Sequence, residues 1–297
     1  VSFIQSLVTN DMEKLVDGMA QYSCLCYENG TTVDDLFIYM FNQTKFMIVV
    51  NASNIDKDFA WFQKHKGNYK VELTNISDQT AKLDIQGPNA QKVLQKICEF
   101  NLTDLNRFHF VETTIAKFKA IISRTGYTAE DGFEIYFSPK KAVFLWKKLL
   151  ELGKPHGIKP IGLGARDTLR IEACYSLYGH ELSDQITPIE AGLGWVVSKH
   201  NFVGSTGLQQ QKVSGTDRVN VALEMLERGI PREGYSIVKS GKEVGVISSG
   251  TYSPTFKKNI AMAFVIPTVK QPGTELEVMI RDKKYRAVVV KKPFYAY

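Results

Sequence analysis

Apolar and polar positions change period several times along the chain, and the changes mark its elements. Phe3, Ile4 and Leu7 fall on one helical face, so residues 1–10 read as a helix already under way, with no start Met or capping residue before it. Residues 22–27, 31–39 and 45–50 alternate as strands, the first two joined by a Glu28-Asn29-Gly30 turn. Residues 51–64 then read as a helix anchored by Ile55, Phe59, Trp61 and Phe62, with Ser53 or Asn54 as its cap.

From about residue 68 a second unit is expected. It has strands at 71–73, 81–85, 108–111, 120–123 and 132–137, and a helix at 89–97 opened by Gly87-Pro88. A helix over 140–150 should bury a stripe of Val143, Phe144, Trp146 and Leu150. Residues 162–174 read as an amphipathic helix, and the polar segment 199–217 is the best boundary. Beyond it, short runs at 219–225, 236–238, 243–248, 260–265, 275–280 and 284–290 predict a small antiparallel barrel or sandwich.

At 297 residues, 44% hydrophobic and 23% charged, the chain is long and apolar enough for two domains or three small ones. The net charge of +6 is scattered, which suits anionic small molecules or an acidic protein surface and is too dilute for nucleic acid. Cys24, Cys26, Cys98 and Cys174 read as free, partly buried thiols in a reducing compartment. No run reaches the ~18 apolar residues of a membrane span, and no charged leader precedes an apolar core. The five histidines are scattered, so no metal site is expected, and no phosphate loop, nucleophile elbow or dinucleotide fingerprint occurs.

Candidate chemistry gathers in four places. In the strand after the Gly30 turn, Asp35, Phe37 and Tyr39 share one face, and Asp34, Leu36 and Ile38 the other. An acid among aromatics suits a flat, amine-bearing ligand and should have its pKa raised by desolvation; both acids could equally cap the turn. Asn51, at a strand end, could orient a ligand or cap the following helix. Glu134 lies between Phe133 and Ile135, where a carboxylate must be paired or bind something, such as the two parallel N–H groups of an aminopyrimidinone edge. Arg166, Asp167 and Arg170 lie on successive turns, where Asp167 can bridge Arg170; the arginines lace a solvated face, or one meets a carbonyl ligand. The residues by themselves lead to an α+β protein with an acid-and-arginine cleft.

These stretches also carry a family resemblance. Val49-Val50-Asn51-Ala52-Ser53-Asn54-Ile55-Asp56-Lys57-Asp58, Ser123-Arg124-Thr125-Gly126-Tyr127-Thr128 through Glu134, Gly162-Leu163-Gly164-Ala165-Arg166-Asp167, Thr187-Pro188-Ile189-Glu190-Ala191-Gly192-Leu193-Gly194-Trp195 and Ser253-Pro254-Thr255 with Lys258-Asn259-Ile260-Ala261 together resemble the aminomethyltransferase, or T-protein, family of the glycine cleavage system. The match runs in order from Leu7 to the Lys291-Lys292-Pro293 tail. The resemblance implies a three-domain cloverleaf around a central folate cavity. A first lobe would comprise 1–51 and 160–215, with its N-terminal part missing; a second lobe would span 52–159, and a β-barrel 216–297. It further implies transfer of the one-carbon unit of aminomethyl-dihydrolipoyl H-protein to tetrahydrofolate by a monomer, in bacterial cytoplasm or mitochondrial matrix. Asp35 would be the essential carboxylate and Tyr22 and Tyr39 its flanking aromatics. Asn51, Tyr127, Glu134 and Arg166 would be pterin contacts, with Glu134 and Arg166 on the pyrimidine edge.

Two departures stand out: Thr31-Thr32 replaces a usual glycine pair, and the family normally has several dozen more N-terminal residues. Folate-binding dehydrogenases of the same fold would need a flavin fingerprint. A related iron–sulfur assembly factor would need a cysteine motif where this chain has Tyr178-Gly179-His180-Glu181. A non-catalytic folate-binding or regulatory module is the alternative.

Overall fold

Antiparallel pairing organises the chain into three sheets, seen in a computed structural model that describes residues 1–296. In the first, β1 (Ala20–Cys26), β2 (Thr32–Asn42) and β3 (Lys45–Val49) lie in sequence order. The predicted alternation along β2 holds. Leu36, Ile38 and Met40 enter a core with Phe3, Ile4 and Leu7, whereas Phe37 and Tyr39 face the other way. The N-terminal helix is a single turn, α1 (Ser2–Gln5), rather than the whole of 1–10, yet its apolar face is buried as expected. Thr32 is buried, and its Oγ1 donates to Ile186 O at 2.8 Å, so the departure from glycine ties the β1–β2 turn to a distant loop.

After β3 a 3₁₀ turn (Ala52–Asn54) leads into α2 (Ile55–Lys64). Neither Asn51 nor Asn54 caps it with a side-chain bond; both amides turn instead to Asp34. Residues 71–73 form no strand. Val71 and Leu73 pack singly on the first core from an irregular segment, which their alternation alone cannot distinguish from sheet.

The second sheet has order β4 (Ala81–Gln86), β7 (Gly132–Phe137), β6 (Phe118–Ser123), β5 (Phe110–Ile115). It is covered by α3 (Ala90–Leu94), shorter than the expected 89–97, and α4 (Ala142–Gly153). The expected stripe on α4 is wrong in phase: Leu145 and Leu149 are buried, while Val143, Phe144 and Trp146 are exposed. Apolar residues occur nearly all round this helix, so sequence period does not select the face.

The third sheet is a closed barrel of β8 (Val219–Met225), β9 (Ser236–Lys239), β10 (Lys242–Ser253), β11 (Lys258–Val265), β12 (Glu275–Ile280) and β13 (Lys283–Val290). Its order is β10-β11-β8-β13-β12-β9, which leaves no free edge and encloses Val221, Leu223, Ile237, Ala261, Val278 and Val289. The 162–174 helix is α5 (Leu163–Glu172), packed on β10 and β11. The polar segment 199–217 carries a further helix, α6 (Ser205–Ser214). Its sequence is polar except for Leu208 and Val213, so no apolar stripe announces it.

Candidate functional site

Between the three lobes lies a cavity of about 640 Å³. Its wall takes Tyr22 and Phe37 from the first sheet, Phe108, Thr125 and Tyr127 from the second unit, Ser176 and Trp195 from the loops after α5, and Lys292 from beyond the barrel. A smaller cavity of about 410 Å³ shares Tyr127 and Glu130 with it and is bounded by Trp146, Leu150, Lys82 and Arg166.

Sheet register assembles the acid. Cys24 pairs with Asp35 and Tyr22 with Phe37, which makes Tyr22 and Asp35 diagonal neighbours on one face. The Tyr22 hydroxyl donates to Asp35 Oδ2 at 2.9 Å, and Asn51 Nδ2 donates to Asp35 Oδ1 at 2.8 Å. Burial, then the neighbouring Asp34 charge, push Asp35 up to about 6, against the pull of those two hydrogen bonds. Burial and Asp35 push the Tyr22 phenol well above its usual range, so it stays the donor. The structure thus brings Tyr22, Asp35 and Asn51 together, with Tyr22 lining the cavity and Asp35 hydrogen-bonded behind it.

Tyr39 and Glu134 form a second cluster behind Thr125. Glu134 accepts from Thr125 Oγ1 at 2.5 Å and from the Tyr39 and Tyr136 hydroxyls at 3.3 Å, and it is ion-paired with Lys82. Burial acts to raise Glu134, but Lys82 and the hydroxyls outweigh it and hold the carboxyl below its usual range. Of the two readings for this acid, pairing is what is seen. Arg166 is elsewhere: its guanidinium lies 4.6 Å over the Tyr127 ring, on the wall of the smaller cavity. The Tyr127 hydroxyl donates to Ser176 O. Glu134 lines neither cavity, but its partner Lys82 shares the wall of the smaller one with Arg166. The second arginine of that helix, Arg170, is buried rather than on a solvated face.

Several lining residues carry no sequence signal of their own. Trp195, 69% exposed, stacks on Tyr22 with centroids 6.0 Å apart and planes 23° apart, and Phe108 stacks on Phe37 at 6.3 Å and 17°. Phe108 has φ 60°, a left-handed conformation costly for a bulky residue and frequent at functional sites. Lys82 escaped notice because its partner lies on another strand. The K-x-D alternation in Ala81-Lys82-Leu83-Asp84-Ile85 was the available hint of a polar face. Among the described residues no cluster of three His, Cys, Asp or Glu could hold a metal, and no helix is long and apolar enough to cross a membrane.

Fold and site define a class: a three-lobed α+β protein, closed by a small barrel, whose central cavity has aromatic walls, one of them hydrogen-bonded to an acid behind it. Comparison with known proteins narrows it. Residues 1–201 match the model described as GCVT N-terminal domain, and 218–296 match the glycine cleavage T-protein C-terminal barrel domain. The chain is 50% identical to the aminomethyltransferase of Geobacillus sp. (strain WCH70), covering 99% of this chain and 82% of the relative. It is 46% identical to that of Thermoanaerobacter pseudethanolicus, covering 99% and 81%. The crystal structure of glycine cleavage system aminomethyltransferase T from Bartonella henselae superposes with a TM-score of 0.90 at 32% identity, again covering 99% and 81%. The chain belongs to the aminomethyltransferase (T-protein) family of the glycine cleavage system.

Proposed function

We propose that the protein transfers the one-carbon unit of aminomethyl-dihydrolipoyl H-protein to tetrahydrofolate, giving 5,10-methylenetetrahydrofolate, ammonia and dihydrolipoyl H-protein. The observation that carries this is the Tyr22–Asp35–Asn51 constellation, whose Tyr22 lines a cavity with stacked aromatic pairs in its wall. Such rings offer a flat pterin faces to stack on, and family membership suggests the substrates.

In the reaction the carbon held between nitrogen and sulfur loses both bonds and gains bonds to N5 and N10 of tetrahydrofolate. The two protons displaced from those nitrogens end on ammonia and on the lipoyl thiol. As either bond to the carbon breaks, positive charge develops on it. An ionised Asp35, fixed by Tyr22 and Asn51 before the substrate arrives, stabilises that charge and orients the folate amines. Tyr127 is the aromatic wall nearest Arg166, and Glu134 with Tyr39 braces the wall at Thr125. In this reading the lobes are 1–51 with 160–215, then 52–159, then the barrel 216–297, and the protein acts as a monomer.

The test is ammonia release from aminomethyl-lipoyl H-protein with and without tetrahydrofolate. Folate-dependent release that falls by about 10²-fold or more in Asp35→Asn is expected. Tetrahydrofolate binding without release by the wild-type protein would instead identify a folate-binding module.

A further inference from the structure

Behind Asp35 lies another carboxyl group that the proposed reaction leaves unused. Asp58, on α2, is 1% exposed, and neither of its oxygens receives a hydrogen bond among the described residues. It faces Asp34, which is fully buried on the core side of β2. Asp34 is already committed as an acceptor: Asn51 N reaches its Oδ2 at 3.1 Å, and Asn51 Nδ2 and Asn54 Nδ2 reach its Oδ1 at 2.8 Å each. The same Asn51 Nδ2 holds Asp35 Oδ1. One amide therefore links the pair of buried acids to the Asp35 carboxylate.

The other groups facing Asp58 do not neutralise it. Lys57, its neighbour on α2, donates to Val33 O at 2.5 Å and lies 3.9 Å over the Tyr178 ring. Asp35 adds negative charge, and the phenols of Tyr27 and Tyr178 are uncharged donors pushed above their usual range, chiefly by burial. An ionised Asp58 would be a buried anion with no donor, set against another acid, which is among the costliest arrangements in a protein interior. A protonated Asp58 has one O–H to give, and Asp34 is the acceptor it faces. Burial first, and Asp34 second, push Asp58 up to about 9, in accord with that geometry.

We infer that Asp58 is a positioning residue, held as a neutral acid whose O–H donates to Asp34, so that the buried pair carries one negative charge and sets Asn51 against the Asp35 carboxylate. A second full charge at this point would bind the Asp35 proton more tightly. Neutral Asp58 keeps Asp35 ionised at the pH where it is needed. The kinetic half of this inference rests on the reading of Asp35 as the reactive carboxylate; the protonation half does not.

Two variants and one spectroscopic measurement test it. In Asp58→Asn the amide N–H replaces the acid O–H at the same place. Ammonia release is expected to stay within about threefold of wild type, with an unmoved acid limb in its pH profile. Asp58→Leu keeps the bulk but has no donor. It is expected to lower kcat about tenfold with little change in KM for tetrahydrofolate, and to move the acid limb to higher pH because Asp34 then bears more uncompensated charge. Infrared difference spectra of wild type against Asp58→Asn at about pH 7.5 should show a protonated-carboxyl C=O band only in the wild type. Absence of that band overturns the inference. So does an Asp58→Asn variant as impaired as Asp58→Leu, the result expected if an ionised Asp58 held a cation instead. Should Asp58→Leu fail to fold, the band and the Asp58→Asn kinetics still decide. A wild type that shows the band but releases no ammonia refutes the transfer reaction and leaves the neutral acid standing.

Discussion

At the scale of single residues, the site trades stability for a poised charge. Asp35 has a folded-state pKa of about 6 against the ordinary 3.8, because burial and Asp34 oppose its ionisation. The stability it contributes is full below the unfolded value and is lost as pH rises through about 6. Asp35→Asn, which does not titrate, should therefore gain in melting temperature on the wild type as pH climbs from about 4 to about 6. Activity should run the other way. The ionised form stabilises the developing cation, so kcat/KM should fall as pH drops below about 6. Tyr22→Phe, which deletes a donor to the carboxylate, should move that limb upward; an unmoved limb would mean that Asp35 does not control the rate. Asp35 and Asn51 were legible in the sequence because strand alternation and a strand end define where they point, whereas Tyr22 came from the family resemblance alone. The roles of Asp58 and Lys82 were not legible, since what makes each notable is a partner on another element: Asp34 on β2 for one, Glu134 on the adjacent strand β7 for the other.

At the scale of elements, the sheets were easier to read than the helices. Two-residue alternation has only two phases, and in β7 one of them would put Glu134 where Phe133 and Ile135 enter the apolar core. A helix such as α4 has apolar residues on several faces, and only packing selects the line Leu145–Leu149, four residues apart, over Val143, Phe144 and Trp146. The two faces should respond very differently to truncation. Leu145→Ala, at a position with no exposed surface, should cost about 2–5 kcal/mol in chemical denaturation. Phe144→Ala should stay within about 0.5 kcal/mol. Equal losses would show that the exposed face is covered in solution. Helix α6 was missed for the opposite reason. It is placed by a backbone event: Gly204 has φ 88°, and a side chain there would run into the carbonyl of Tyr27.

For the molecule as a whole, the question is how the barrel is held against the two lobes that make most of the cavity. Its strands were readable as short runs between turns, but the way it docks was not, because the docking residues are charged and looked like an ordinary helix face. Arg170, 1% exposed, donates Nε to Asp167 at 2.7 Å, Nη1 to Glu181 at 2.7 Å and Nη2 to Ser249 of β10 at 2.7 Å. Ser248, also on β10, donates to Glu181 at 2.6 Å, and Glu172 accepts from Ser253 and from Thr255. A buried pair of this kind is weak evidence for stability in itself, since desolvation offsets much of its attraction, but removing one partner leaves the other charge stranded. Arg170→Met should therefore cost about 3–5 kcal/mol, and adding Glu181→Gln should restore part of that loss. Arg170 also bonds Tyr175 O, beside the Ser176 carbonyl that receives the Tyr127 hydroxyl. The single variant should accordingly weaken tetrahydrofolate binding at temperatures where it is still folded, and the double variant should recover less binding than stability. If Arg170→Met stayed within about 1 kcal/mol of wild type, the barrel would have to be held by its apolar contacts, and the charge network would be only a guide to orientation.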